Sequence, residues 1–289
     1  MRNIDTLIGD IYTLLETKEI PEGVDLEAEC ERFGKEMGEI LLGQLKPEAD
    51  RRGLRLSGVG KPDRQVYNAY HSVGTRTFRG PTYVKFLYGH IVEAMVLALT
   101  RIAGHTVTDE QKVCRVEGVK GHMDCRIDGF LLDVKSASSY GFKKFKNNTL
   151  HEDDPFGYIG QIKAYAYSEG ETEYGWLAMD KQNGTLALLK YDEKSPNAPY
   201  ADAVNWDVAE RVRYLKDLVS GDLVPTHCFA PVPDGKSGNM RLATGCSYCD
   251  FRTDCWPEAR TYFYATGPKY LTKVVREPNV TGVKIPDEF

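Results

Sequence analysis

Asp128-Gly129 is the feature of this sequence that most narrows its folds. Both residue types tolerate positive φ, so the pair predicts a two-residue hairpin turn. Closing the chain there sets Ile127 opposite Phe130, Arg126 opposite Leu131 and Cys125 opposite Leu132. The next pair brings Asp124 opposite Asp133. Lys135 shares the face of Asp133, because side chains alternate along a strand. Directly opposed residues stand with Cβ atoms about 4.5–5.5 Å apart, where like charges destabilise a sheet. Two acids so placed call for a counter-charge, and a divalent cation is the natural one.

The rest of the chain must supply a body for this hairpin. Its 289 residues allow one large domain, or a core with a smaller lobe. Hydrophobic residues make up 42% and charged residues 27%, an ordinary globular balance. The formal net charge of −5 means that any nucleic-acid surface is a local basic patch on an acidic body. Asp5, Asp10, Glu16 and Glu19 argue against a signal-peptide core in the first twenty residues. No apolar run is expected to reach the roughly 18 residues of a membrane span. A cytoplasmic location is expected.

Ile4, Leu7, Ile8, Ile11 and Leu15 recur at helical spacing, as do Leu26, Cys30, Phe33, Met37, Ile40 and Leu41, with Asp25 placed as a cap. Residues 47–81 are basic and rich in Gly and Pro. A third helix is predicted from Thr82 to Thr100, buried along Tyr83, Leu87, Ile91, Ala94 and Ala98. Val113–Val116 reads as a strand leading into the hairpin, and Lys143–Lys146 as another. A helix follows near Phe156–Ser168. Trp176–Lys181 and Thr185–Tyr191 flank Asn183-Gly184, a second hairpin signal. A helix over Asp202–Val219 precedes the cysteine-rich segment. The divisions expected are 1–81, an N-terminal helical and basic region; 82–225, the core; and 226–289, the cysteine-rich segment and tail. Helices alternating with tight hairpins predict an α/β fold with a mixed sheet.

The chemistry concentrates in a few residues. Mg²⁺ or Mn²⁺ is held by one or two carboxylates together with substrate phosphates. In phosphodiester hydrolysis such an ion generates the nucleophile and stabilises the leaving oxygen. A lysine beside it orients water and offsets developing negative charge. The backbone carbonyl of Val134, between Asp133 and Lys135, is a candidate further ligand. Glu93 interrupts an apolar helical run, so it lies either on a solvated face or at a charged site. Gly89, four residues earlier, would let that helix approach a sheet closely.

Four elements stand in order: Gly89-x-x-x-Glu93, Gly121-His122-Met123-Asp124, Asp133-Val134-Lys135, and Gln161-Ile162-Lys163-Ala164-Tyr165. Together they resemble the PD-(D/E)XK nuclease superfamily, in particular its RecB-type exonuclease branch. The resemblance implies a restriction-endonuclease-like core, a mixed central sheet flanked by helices. It implies that Glu93, Asp124 and Asp133 hold the metal and that Lys135 is the catalytic lysine. Gln161 would order the site or touch a phosphate, with Tyr165 beside it. The first element carries Glu where many relatives carry His, which makes His90 a rival ligand.

There are seven cysteines, an odd count, and Cys246, Cys249 and Cys255 crowd one turn-rich stretch, with Cys228 the nearest fourth. That usage suits a reducing compartment and a metal or cluster better than disulfides. Four cysteines suit tetrahedral zinc or an iron–sulfur cluster. The C-x₂-C-x₅-C spacing with a flanking Trp resembles the [4Fe–4S] closure of iron–sulfur RecB-type and CRISPR adaptation nucleases. Those relatives take their first cysteine from ahead of the first motif, where this chain has Asp63. Cys228 is therefore the expected fourth ligand and Cys30 a distant rival; the departure keeps zinc open. Cys114 and Cys125 read as small core residues.

Lys143, Lys144 and Lys146, interleaved with Phe142 and Phe145, form one basic stretch, and Arg51, Arg52, Arg55, Lys61 and Arg64 another. Such residues neutralise phosphates, though charge runs are often only solvated faces. Lys61, Arg64, Lys143, Lys144, Lys146 and Tyr165 are the expected DNA contacts. The acids Glu152-Asp153-Asp154 are expected to open the next helix rather than join the metal site. Gly235-Lys236-Ser237 lacks the upstream Gly and the strand-to-helix setting of a phosphate loop. The expectation is a metal-dependent DNA nuclease, an exonuclease acting on linear or single-stranded DNA in phage-like processing or recombination. A homo-oligomer or a recombination partner protein fits that setting, and no membrane does. The rivals are a structure-specific endonuclease and a non-catalytic DNA-binding module held by its four cysteines.

Overall fold

The structure, a computed structural model, describes residues 2–46, 53–71, 80–265, 267–280 and 283–284. The basic residues Arg51 and Arg52 lie outside them. Helices α1 (Leu7–Thr17) and α2 (Leu26–Leu45) open the chain. Asp25 caps α2 by accepting the Ala28 N–H at 3.0 Å, satisfying one free donor of its first turn. A 3-10 turn at Leu56–Gly58 precedes α3 (Asp63–His71) and the long α4 (Gly80–Ile102). Strands β1 (Val107–Thr108), β2 (Val113–Val116), β3 (Val119–His122), β4 (Cys125–Ile127) and β5 (Phe130–Ala137) follow. Next come α5 (Ser139–Lys146), α6 (Tyr158–Glu169), β6 (Glu173–Asp180), β7 (Leu186–Asp192), α7 (Ala201–Val204) and α8 (Val208–Ser220). The C-terminal part holds β8 (Val232–Pro233), β9 (Met240–Arg241), α9 (Thr244–Ser247), α10 (Arg252–Cys255), β10 (Arg260–Tyr264), β11 (Gly267–Lys273) and β12 (Val283–Lys284).

The central sheet runs β1-β4-β5-β6-β7. Only its β5–β6 pair is parallel, so the fold is mixed α/β. A parallel pair needs a long crossover, and α5 and α6 provide it. One face packs Leu131, Trp176 and Leu189 against Ile162 and Tyr165 of α6. The other packs Cys125, Leu132 and Leu177 against Leu7 and Ile11 of α1 and Val92 and Val96 of α4. A sheet buried on both sides reads as continuous apolar sequence, as Leu131-Leu132 and Trp176–Met179 do. Asp133, fully buried in that run, is the exception.

The Asp128-Gly129 turn has φ of 52° and 83°, and β4 and β5 pair in the predicted register. Asp128 is also clamped. His105 is held between Asp128 at Nδ1 (2.7 Å) and Asp10 of α1 at Nε2 (3.1 Å). A second tight turn, Glu117-Gly118 (φ 49° and 80°), joins β2 to β3. The sequence expectation missed it, because Glu is rare at positive φ.

Three expectations need correction. Lys143–Lys146 is helical rather than extended. Ser138 caps α5 by accepting the Gly141 N–H, and Phe142 and Phe145, three apart, both enter the core. That spacing serves a helix; a strand would send them to opposite faces. The helix expected over Asp202–Val219 is two, broken at Asn205-Trp206, where Asp207 caps α8 by accepting the Glu210 N–H at 2.6 Å. By length and composition alone, Tyr83–Ile102 of α4 does reach the measure of a membrane span. Its second half is buried against the protein through Val92, Ala94, Val96, Leu97 and Ala98, whereas Val84, Phe86 and Tyr88 near its start are exposed.

Backbones meet closely beneath the sheet. A Cβ on Gly160 of α6 would lie 2.3 Å from Gly60 Cα, against main chain that cannot swing aside. Gly160→Ala should therefore destabilise the fold by about 1–3 kcal/mol, the usual cost of overpacking. Chemical denaturation measures this, and an unchanged midpoint would contradict the contact.

Candidate active site and cysteine centre

The β4–β5 ladder ends at Cys125↔Leu132. Asp124, one residue beyond, no longer pairs as a strand residue. Its carbonyl accepts the Gln111 N–H, and its Oδ2 accepts the Val134 N–H at 2.9 Å. The carboxylate thus fills the edge of β5 that β4 has vacated. In a strand the N–H and C=O of one residue point to the same edge, so the Val134 carbonyl opens on the same gap. Asp133 and Lys135 share one face of β5, and the Lys135 ammonium pairs with Asp133 Oδ2. Gln161 of α6 donates from Nε2 to Asp133 Oδ1 at 3.1 Å and lies 3.3 Å from the Tyr165 hydroxyl. Glu93 reaches the group from α4 and accepts from Gln111 Nε2 at 2.9 Å. The structure therefore brings Glu93, Asp124, Asp133, Lys135 and Gln161 together. His90, the rival on α4, is exposed.

Two expectations about this site change. A Cβ on Gly89 would rest 3.8 Å from Ser136 Oγ, an ordinary contact, so the approach of α4 to the sheet does not demand glycine. Tyr165, expected to touch DNA, is 2% exposed and packs in the core. Two neighbours went unforeseen. Tyr158 places its ring 5.1 Å from the Lys135 ammonium. Its position three residues before Gln161 on one helical face was the available signal. Gln111 carried none.

Burial and mutual repulsion govern the acids. Burial and the Asp133 carboxylate push Glu93 up to about 7. Burial pushes Asp124 up to about 6 against the pull of Lys135. Burial and the Asp124 carboxylate push Asp133 up to about 7. Burial works against the charge on Lys135, but Asp133 and Asp124 outweigh it and hold its ammonium above the ordinary lysine range. Lys135 is accordingly a cation at neutral pH.

Among the described residues, no three His, Cys, Asp or Glu side chains already stand as a metal cage. The donor set still fits a hard cation. Asp133 Oδ2 is buried, with the Lys135 ammonium as its ion-pair partner, and makes no hydrogen bond. Three carboxyl groups are held at raised pKa, chiefly by burial, and a cation among them would favour their charged forms.

A pH dependence follows for the metal-free protein. Each acid has a folded pKa above its unfolded value, so its contribution to stability is fully present below the unfolded pKa, near 4, and is lost as pH rises through about 6–7. Wild-type protein should lose melting temperature relative to Asp133→Asn across that window, and Mg²⁺ should restore it. Parallel pH curves for the two proteins would contradict the raised pKa of Asp133.

The cysteines form a second group. All seven are free. Cys228, Cys246 and Cys249 have raised thiol pKa values, chiefly from burial and in smaller part from the neighbouring Cys255, which lies close to all three. Each sulfur faces N–H donors. Arg64 Nε and Asn68 Nδ2 donate to Cys255 at 3.2 and 3.5 Å. Cys228 receives the main-chain N–H groups of Arg64 and Gln65 at the start of α3. Cys246 meets that of Phe229, and Cys249 that of Phe251. N–H donors aimed at sulfur suit thiolates bound to a metal or cluster. Cys228 thus lies against the start of α3, next to Asp63 in sequence. Asp63 itself turns away, to Arg211 and Tyr214. Cys30 is exposed on α2. Cys114 and Cys125 are core residues.

This reassigns Arg64 from the expected DNA surface to the cysteine centre, where it also donates to the Pro225 carbonyl at 2.8 Å. Lys144 pairs with Asp153 at 2.5 Å. Lys143 and Lys146 are exposed on α5. Lys61 is half-buried, and its carbonyl accepts from Arg211 at 3.0 Å. Asp154, as expected, opens α6 by accepting the N–H groups of Tyr158 and Ile159.

No family model and no curated protein matches the chain. Solved structures with some likeness include SSO0001 (14% identity, TM-score 0.42, covering 76% of this chain and 93% of that one). An alkaline exonuclease from Laribacter hongkongensis has 14% identity and a TM-score of 0.36, covering 63% and 94%. A phage-related exonuclease from Haemophilus somnus has 14% identity and a TM-score of 0.35, covering 58% and 95%.

Proposed function

We propose that the protein is a metal-dependent deoxyribonuclease of the PD-(D/E)XK type. The observation that carries this reading is the convergence of Asp124, Asp133 and Glu93 on one edge of the sheet, beside a lysine held as a cation. Acids raised chiefly by burial, and further by one another's charge, are poised to take a divalent ion. Asp124, Asp133, Glu93 and the Val134 carbonyl would hold Mg²⁺ or Mn²⁺, which supplies Lewis acidity and lowers the pKa of water. Lys135, permanently charged, steadies the phosphate oxygens as negative charge builds and orients the attacking water. Gln161 fixes the rotamer of Asp133. Tyr158 walls the ammonium from bulk water. The buried setting strengthens each of these interactions.

The cysteine group is proposed to hold a [4Fe–4S] cluster, with zinc as the alternative. It would tie the C-terminal sheet of β8 to β12 to α3. The action on DNA is proposed to be exonucleolytic. End-labelled linear duplex, linear single strands and circular single strands, each with and without Mg²⁺, test this. Mg²⁺-dependent loss of linear DNA with circles intact is the expected result. Cut circles would make it an endonuclease. DNA binding without any cleavage would leave only a binding module.

A further inference from the structure

The exposed face of the β2–β3 hairpin carries a row of cations with no ion pair among the described residues. Arg115 and Lys120 are directly opposed in the register. Arg55 bridges to Lys120 on its other side, so the three stand abreast. All three are exposed. Neighbouring strands lie about 4.8 Å apart, which sets three positive charges within roughly 10 Å. Like charges opposed across strands destabilise the pair. No ion pair relieves these three among the described residues, and the nearby Glu117 is taken by Arg213 at 2.8 Å. The opposite face of the hairpin is committed to the core through Cys114, Val116 and Val119.

The row borders an open cleft of about 470 Å³, lined by Leu54, Tyr70, Arg115, Lys120 and Lys216. Tyr70 is 38% exposed there and offers a ring face beside the charges. The same strand leads to the acids. His122 ends β3 on this exposed face, two residues before Asp124. At about 3.4 Å per residue, Lys120 lies at most roughly 14 Å along the chain from Asp124. That is a span of two or so nucleotides.

We propose that Arg55, Arg115, Lys120 and Lys216 bind the phosphodiester backbone of a nucleic-acid strand and lead it to the carboxylates, with Tyr70 stacking on a base. This rests on the nuclease reading and assigns its substrate track. Phosphates supply the counter-charge that the row lacks, and a cleft with one aromatic ring suits a single strand. Acidic protein partners lack the regular charge spacing along a chain and are set aside.

The test is fluorescence anisotropy of a labelled single-stranded oligonucleotide on Asp133→Asn protein, which should bind without cutting, compared with the same protein carrying Arg115→Ala and Lys120→Ala. Each lost phosphate contact removes about 0.7 from the slope of log affinity against log salt, so the double change should lower it by about 1.4. Between about 50 and 200 mM salt the parent should then weaken roughly sevenfold more than the variant. The variant should also melt no lower than its parent at low salt, since the repulsion is gone. Equal affinity and slope in the two proteins would overturn the track and leave the nuclease reading standing. No binding by either protein would overturn both.

Discussion

Lys135→Ala and Asp124→Ala should each remove Mg²⁺-dependent DNA cleavage while the protein stays folded. For Lys135 the expected loss is at least about 10²–10³-fold, the scale for deleting one electrostatic stabiliser of a transition state. Its ammonium sits among three acids and cannot be replaced from solvent, because its side chain is only 18% exposed and lies against Tyr158. Lys135→Arg should not restore the rate. The guanidinium is broader than the ammonium that fits against Asp133, and its fork suits a bidentate partner. For Asp124 the loss should be larger, since the change removes a proposed ligand oxygen and also frees the Val134 N–H it accepts. Cleavage rates on linear DNA with circular dichroism as the folding control measure both. Near wild-type cleavage in either variant would remove these residues from the active site.

Cys255→Ser should release the metal or cluster and loosen the C-terminal sheet. Cys255 is the sulfur on which Arg64 and Asn68 of α3 converge, so it joins that helix to the segment carrying β8 to β12. Structural zinc contributes about 10–16 kcal/mol in small domains. A chain of this size loses about 2–4 °C of melting temperature per kcal/mol, so a fall of roughly 10 °C or more is expected. Protein purified without oxygen should be brown and carry four iron atoms per chain. A colourless protein with one zinc would keep the staple and retire the cluster. Protein with neither metal and an unchanged melting point after Cys255→Ser would retire the centre altogether.

Much of this site was legible in the sequence because hairpin chemistry is local. Asp128-Gly129 fixes a turn, and the turn fixes the register as far as Cys125↔Leu132; beyond it Asp124 leaves the ladder, and its hydrogen bond to the Val134 N–H, which register does not foretell, holds it beside Asp133. The mixed sheet followed from apolar runs and turn residues in the same way. The losses came where tertiary context decides. Lys143–Lys146 looked extended until the i, i+3 pair Phe142 and Phe145 found a core to enter. Arg64 looked like a phosphate contact, and nothing nearby in sequence announces Cys255, nearly two hundred residues away. Gln111 and the Arg115–Lys120 pair needed the Glu117-Gly118 turn, which composition hid.

Titration calorimetry of Mn²⁺ into metal-depleted wild-type, Asp124→Asn and Asp133→Asn proteins, without DNA, tests the capture of a hard cation by these acids most directly. Saturable binding by the wild type that is lost or strongly weakened in both variants is the predicted result. Absence of Mn²⁺ binding by the wild type, or equal binding by all three, would contradict it.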